Sequence, residues 1–315
     1  MAKVYILDRV ADTSIESPVL GNDVSRDFDS NAEVLLVWHA PVDRDLLEKF
    51  PKLKAVIRYG VGYDNVDLQA AKERNVVVCN TPDYGVEEVA DSAVAMILSF
   101  SRDVFRLNAI AKRDPDCWDD TKAAPVLRSS NTKVGVIGAG RIGGSVLQRL
   151  KALRFDTVFY DPYKESGYEK LLDARRVESI DDLLEQADII SINTPLTSET
   201  KGMVDKNFIR KIKKGASFVN TARGKVVADI DDFYEPLRNN DILNTGFDVL
   251  PFEPPKESKL LDAWRRNEEW IDGRVIITPH HAFYSVDAYR ECRHKAAVNA
   301  LRVLEGRQPI NILTR

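Results

Sequence analysis

The run Val134-Gly135-Val136-Ile137-Gly138-Ala139-Gly140-Arg141-Ile142-Gly143 leads an apolar stretch straight into a Gly-x-Gly-x-x-Gly turn. That spacing suits anion binding. Gly138 permits a tight turn, Gly140 lets the backbone approach a pyrophosphate, and Gly143 allows a following helix to pack closely on the strand. The helix N-terminus then favours the negative charge. The glycines alone are a weak signal, but here they come with a strand before, a helix after and an acidic residue, Asp161, closing the next apolar run Val158-Phe159-Tyr160. Asp161 stands about 20 residues on, the separation a dinucleotide site needs. A carboxylate there accepts hydrogen bonds from ribose hydroxyls and repels a 2′-phosphate, so the pattern predicts NAD rather than NADP.

Three later segments end apolar runs with residues able to do chemistry: Asn220-Thr221-Ala222-Arg223-Gly224, Gly246-Phe247-Asp248-Val249-Leu250-Pro251-Phe252-Glu253-Pro254 and Thr278-Pro279-His280-His281-Ala282-Phe283-Tyr284-Ser285. At the carboxyl ends of parallel strands such residues face the crevice where ligands bind. An Arg grips a carboxylate through two parallel hydrogen bonds. A His carries the proton that must accompany a hydride, and a Glu beside it favours the imidazolium.

The elements that must position these residues follow from the apolar pattern. Strands are predicted at 3–8, 33–38, 54–58 and 76–79, with helical stretches at 43–50 and 67–74. Apolar runs without alternation belong to strands buried on both faces, which means a parallel sheet covered by helices. Residues 86–110 read as one long helix, apolar nearly all round and so covered on every side. Residues 113–131 break the pattern as a loop or linker. A second series then alternates strands at 133–137, 157–160, 189–193, 217–220, 245–249 and 275–278, a weaker one near 175–177, and helices at 144–153, 180–186, 207–212 and 230–237. This is a doubly wound βαβ domain of about six strands. The tail, 286–306, is helical and is expected to pack back on the first domain.

Composition bounds the rest. The 315 residues carry 45 Lys+Arg and 49 Asp+Glu, a formal charge of −4, with 44% hydrophobic and 30% charged residues. That length suits two cores, and the balance is that of a folded globular chain. The mild acidity and even spread of charge argue against a dedicated nucleic-acid binder, which normally carries a basic face. No run of 18 apolar residues exists, the start lacks the apolar region of a signal peptide, and Cys79, Cys117 and Cys292 form neither a disulfide framework nor a zinc cluster. The expectations are a cytoplasmic protein, no membrane, no metal and no nucleic-acid partner.

Over essentially its whole length the chain resembles the D-isomer-specific 2-hydroxyacid dehydrogenases. The matching motifs are Gly60-Val61-Gly62-Tyr63-Asp64-Asn65-Val66-Asp67, Asn80-Thr81-Pro82-Asp83, the glycine turn, Thr194-Pro195-Leu196-Thr197 and the three segments above. The resemblance implies an α/β protein of two Rossmann-like domains, with a doubly wound parallel-sheet NAD domain (101–282) inserted into a smaller flavodoxin-like substrate domain (1–100 with 283–315). It implies that Arg223 binds the substrate carboxylate and carbonyl, that His280 is the acid/base and that Glu253 pairs with it. The backbone N–H groups of Val61 and Gly62 receive the carboxylate, and Asp248 holds the nicotinamide carboxamide. Further cofactor contacts are expected from Gly138, Gly140, Arg141, Ile142, Gly143, Asp161, Thr194, Pro195, Thr221 and Ala222. A homodimer is expected on the same ground.

Within the family the chain is most similar to the branch of the C-terminal-binding-protein corepressors, through Trp38-His39, Val56-Ile57-Arg58-Tyr59-Gly60, Val86-Glu87-Glu88-Val89-Ala90-Asp91-Ser92 and the His280–Ser285 run. There Phe283 stands where that branch has Trp, and both Arg58 and Phe283 are implied to face the substrate, a small 2-oxo or 2-hydroxy acid. Two departures stand out. Arg128-Ser129-Ser130-Asn131-Thr132 replaces the usual glycine-rich and basic lead-in, and the 256–272 stretch with Trp264 and Trp270 is longer than many relatives carry. The leading expectation is an NAD-dependent 2-oxo-acid reductase. The alternative is an NAD(H)-sensing binding protein with little turnover. His281 and His294 read as rim and surface residues, and Cys79 as core.

Overall fold

The computed structural model describes residues 2–8, 10–119 and 126–314. The chain divides into two compact units, Met1–Gly85 with Tyr284–Arg315, and Val86–Phe283. The middle of the expected 113–131 linker, residues 120–125, lies outside the described residues.

In the first unit, β1 (Val4–Ile6), β2 (Val24–Ser25), β3 (Val34–Val37), β4 (Ala55–Arg58) and β5 (Val77–Cys79) pair in parallel. Among the described residues their order is β2-β1-β3-β4-β5, the flavodoxin-like winding that reverses between β1 and β3. All four residues of β3 are fully buried, as a central parallel strand requires. Short helices α1 (Ser17–Leu20), α2 (Arg44–Glu48) and α3 (Leu68–Glu73) join the strands. Asp43 and Asp67 cap the last two by accepting from the N–H groups of Leu46 and Ala70, which satisfies donors that a first turn leaves open. The C-terminal helix, Val286–Leu304, packs on α1, β3 and β4.

The second unit opens with α4 (Val86–Ser101) and α5 (Val104–Arg113). The single helix expected over 86–110 is two, broken at Asp103, whose φ of 57° is left-handed. Nor is α4 covered all round, since Glu87, Asp91 and Ala95 are exposed. Its buried face, including Ala93, Ile97 and Phe100, joins the core built by Val134, Val136 and Leu147. That packing puts α4 in the second unit, so the first boundary falls at 85/86 where 100/101 was expected.

The parallel sheet of this unit contains β6 (Lys133–Ile137), β7 (Asp156–Tyr160), β8 (Arg175–Arg176), β9 (Ile189–Ile192), β10 (Ala216–Asn220), β11 (Ile242–Phe247) and β12 (Val275–Ile277). Its order among the described residues is β12-β11-β10-β9-β6-β7-β8. The winding reverses between β6 and β9, and a doubly wound sheet opens its ligand crevice at that point, outside the carboxyl ends of the strands. Between the strands lie α6 (Arg141–Ala152), α7 (Tyr168–Leu172), α8 (Ile180–Gln186), α9 (Lys206–Lys211), α10 (Tyr234–Arg238) and α11 (Lys259–Arg265). The last occupies the long 256–272 stretch, where Trp264 and Trp270 pack half-buried against the main core.

Candidate active site

The glycine turn joins β6 to α6 at the reversal point. Gly138 has a φ of 90°, and a Cβ there would stand 2.7 Å from the carbonyl oxygen of Asn193 at the end of β9. A Cβ on Gly143 would lie 1.9 Å from the carbonyl oxygen of Gly138, whereas one on Gly140 would meet nothing within 4 Å. Two of the three glycines therefore serve close packing, and the third faces open space in front of the N-terminus of α6. Arg141 and Ile142 form the first turn of that helix. Asp161, 8% exposed, accepts from the Ala139 N–H through Oδ2 (2.9 Å) and from the Tyr163 N–H through Oδ1 (3.0 Å). It braces the turn itself, a role its position in the sequence did not disclose.

Three buried side-chain oxygens at the neighbouring strand ends, Asn193 Oδ1, Thr194 Oγ1 and Thr221 Oγ1, make no hydrogen bond among the described residues. Buried polar atoms without partners are costly, and these lie just past β9 and β10, as a polar ligand in the crevice would require. With the opening before Gly140, they fit a dinucleotide.

The catalytic candidates sit past β10, β11 and β12. Asn220, fully buried, accepts from the Ala222 N–H and donates to the Arg223 carbonyl, both at 3.0 Å, and so fixes the backbone that carries the Arg223 guanidinium. Past β11, Glu253 approaches Nδ1 of His280 at 2.7 Å through Oε2, while its Oε1 accepts from the Leu250 N–H at 3.0 Å. Burial pushes the Glu253 carboxyl up. The His280 hydrogen bond and charge, the Leu250 N–H and the nearby Arg223 outweigh it and hold the group below its usual range. An ionised carboxylate only accepts, so Nδ1 of His280 is the donor and Nε2 is the nitrogen left to exchange a proton. The His280 backbone has a φ of 53°, a left-handed conformation costing roughly 1–3 kcal/mol for such a residue.

Asp248 is 2% exposed. Its Oδ1 accepts from Thr278 Oγ1 (2.6 Å) and from the N–H groups of His281 (2.8 Å) and Ala282 (3.1 Å). Its main-chain carbonyl accepts from the His280 N–H at 2.8 Å. The Phe283 ring stands nearly perpendicular to that of His280, 6.4 Å between centres, and Ser92 of α4 donates to the Ala282 carbonyl at 3.3 Å. Neither Thr278 nor Ser92 was legible as a site residue, because hydroxyls in a loop and a helix carry no signal of their own. His281 is exposed, as expected of a rim residue. Among the described residues no group of three or more His, Cys, Asp or Glu side chains is arranged to hold a metal, and no helix is long and apolar enough to cross a membrane.

The substrate candidates Arg58, Val61 and Gly62 lie in the first unit, after β4. A Cβ at Gly60, whose φ is 134°, would collide with the Arg58 guanidinium, so this glycine lets Arg58 fold back over its own loop. Asn80 donates to the Val61 carbonyl at 2.7 Å, and Thr81 N–H to that of Gly60 at 3.0 Å. At the same sheet end Asp8 accepts from the backbone N–H groups of Trp38, His39 and Ala40.

Comparisons with known proteins agree with this architecture. Residues 94–282 match the model of the D-isomer specific 2-hydroxyacid dehydrogenase NAD binding domain. The chain is 32% identical over 311 residues, 98% of its length, to a D-3-phosphoglycerate dehydrogenase of Methanocaldococcus jannaschii, and spans 57% of that relative. It is 31% identical over 296 residues to a glyoxylate reductase of Korarchaeum cryptofilum, covering 93% of this chain and 85% of the relative. Among solved structures, D-lactate dehydrogenase from Aquifex aeolicus, complexed with NAD and lactic acid, superposes with a TM-score of 0.86 at 27% identity over 99% of each chain. The chain belongs to the D-isomer specific 2-hydroxyacid dehydrogenase family, and the cofactor of its second unit is NAD.

Proposed function

We propose that this chain is an NAD-dependent 2-hydroxyacid dehydrogenase working as a 2-oxo-acid reductase, with His280 as its acid/base. The observation that carries the reading is the 2.7 Å contact between Nδ1 of His280 and an ionised Glu253, next to Arg223. Gly138, Gly140, Arg141, Ile142, Gly143, Asp161, Thr194, Pro195, Thr221 and Ala222 hold the cofactor, which when bound as NADH supplies the hydride to the carbonyl carbon. Asp248 has one oxygen committed to the 278–282 turn and takes the carboxamide on the other. Arg223 binds the carboxylate and carbonyl of the acid, with Phe283 beside it, and the family resemblance alone adds Arg58 and the Val61 and Gly62 amides as substrate contacts. The Nε2–H of His280 donates its proton to the carbonyl oxygen as negative charge develops there, and Glu253 stabilises the imidazolium before transfer. In the oxidative direction the same nitrogen takes the hydroxyl proton. A corepressor-like branch, a homodimer and a cytoplasmic setting belong to the same reading.

The test is oxidation of NADH and of NADPH with glyoxylate, hydroxypyruvate, pyruvate, phenylpyruvate and 4-methylthio-2-oxobutyrate. Turnover with NADH in clear excess over NADPH, and preference for one class of acid, is the expected result. Tight NADH binding without reduction of any of the five would instead favour an NAD(H)-sensing binding protein.

A further inference from the structure

Among the described residues, the non-glycine positions with left-handed φ are Asn or Asp except at Arg154 and His280. Asn and Asp tolerate that region, and Arg154 follows Leu153, the C-cap of α6, a place where helices commonly terminate in it. His is enriched in that region as well, and at His280 the neighbours hold the chain there through hydrogen bonds. They do so through one residue. Thr278 Oγ1 and the N–H groups of His281 and Ala282 converge on Oδ1 of Asp248, and the His280 N–H donates to the Asp248 carbonyl. A second bond from the His280 N–H, to the Thr278 carbonyl at 3.0 Å, closes the turn on itself. The Thr278 hydroxyl is the one side-chain donor in this set, and at 2.6 Å it makes the shortest bond.

We propose that Thr278 is a positioning residue for the acid/base. Its hydroxyl, through Oδ1 of Asp248, holds the turn in the left-handed conformation that presents the His280 ring to Glu253. The inference rests on the reading of His280 as the proton donor, and it adds a residue outside the catalytic and cofactor sets. Without the hydroxyl the turn loses its one side-chain tie to Asp248, two residues before His280. The backbone relaxes toward negative φ, and the imidazole swings from the carboxylate that fixes its tautomer.

The experiment compares Thr278→Val, which keeps the shape and removes the donor, with Thr278→Ser, which keeps the donor. Expected for the Val variant is a fall in kcat of about tenfold, with NADH affinity and melting temperature near wild type, and recovery of kcat in the Ser variant. Equal losses in both variants would assign the effect to packing of the methyl group, and a parallel loss of NADH binding would assign it to the cofactor site. Either result, or an unchanged kcat in the Val variant, overturns the proposal. A second readout does not need turnover. With 15N-labelled histidine, the chain's four His give few ring signals, and His280→Ala assigns the Nδ1–H resonance bonded to Glu253. That resonance should shift or disappear in the Val variant and persist in the Ser variant. If the wild type reduces no 2-oxo acid, the functional reading fails while this signal still decides what holds His280.

Discussion

At the scale of single residues, the site turns on a carboxylate that must stay ionised. The Glu253 side chain is 39% exposed, so solvent screens its pair with His280 and the contribution to overall stability is small. Its folded value lies below the ordinary one, so the unfolded chain binds the proton more tightly. The pair therefore contributes above the usual carboxyl range, and the contribution is lost as pH falls through the folded value. For Glu253→Gln we expect a slightly lower melting temperature at neutral pH, with the difference from wild type closing as pH falls through the folded value. The same variant should lose at least about tenfold in kcat with NADH binding retained. A difference in melting temperature that widens toward acid would refute the sign. None of this pairing could be read from spacing, since the two residues stand 27 positions apart. Their nature as acid and base was legible, and the family resemblance supplied the partnership.

At the scale of elements, the glycine turn is the joint on which cofactor binding depends. Because a Cβ on Gly143 would sit 1.9 Å from the Gly138 carbonyl oxygen, Gly143→Ala must push α6 off the strand end. Such overpacking costs typically about 1–3 kcal/mol. A lower melting temperature and NADH affinity reduced at least about tenfold are expected, and an Ala variant that binds NADH normally would show that the helix is free to move. The central strands were legible because buried parallel strands need unbroken apolar runs, as in Lys133–Ile137, predicted to the residue. Two features escaped. The edge strand β2 is only Val24 and Ser25, too short for any periodicity. The break between α4 and α5 is made by Asp103, 5% exposed and paired three residues on with Arg106, a local polar contact that apolar spacing does not encode. The strand expected at 245–249 begins instead at Ile242, because Asn244, buried and bonded to Ser217, hides a core position behind a polar residue.

At the scale of the molecule, each unit carries its own determinants of stability. In the first, Arg293 (2% exposed) meets the fully buried Glu16 through Nε (2.8 Å) and Nη2 (2.6 Å), and Tyr59 donates to the same carboxylate at 2.8 Å. Breaking a buried pair from one side typically costs about 3–5 kcal/mol, whereas an apolar replacement of both partners is often neutral. Arg293→Met should therefore lower the urea midpoint strongly, and Glu16→Leu combined with it should recover much of the loss. A double variant no better than the single would contradict this view. Burial also pushes the Cys79 thiol up to about 11 and that of Cys292 up to about 12, so neither offers a thiolate near neutral pH. A thiol reagent at about pH 7.5 should titrate Cys117 alone in the folded protein and all three cysteines in urea. Fast labelling of a second thiol in the folded state would mean that one of these cores opens. The central claim, that His280 carries the proton in 2-oxo-acid reduction, is tested most directly by NADH oxidation with wild type and His280→Ala at saturating acid, with NADH affinity measured on both. The account predicts a fall in turnover of about 10²–10⁴-fold and NADH affinity within about twofold. Equal turnover in the two proteins would contradict it.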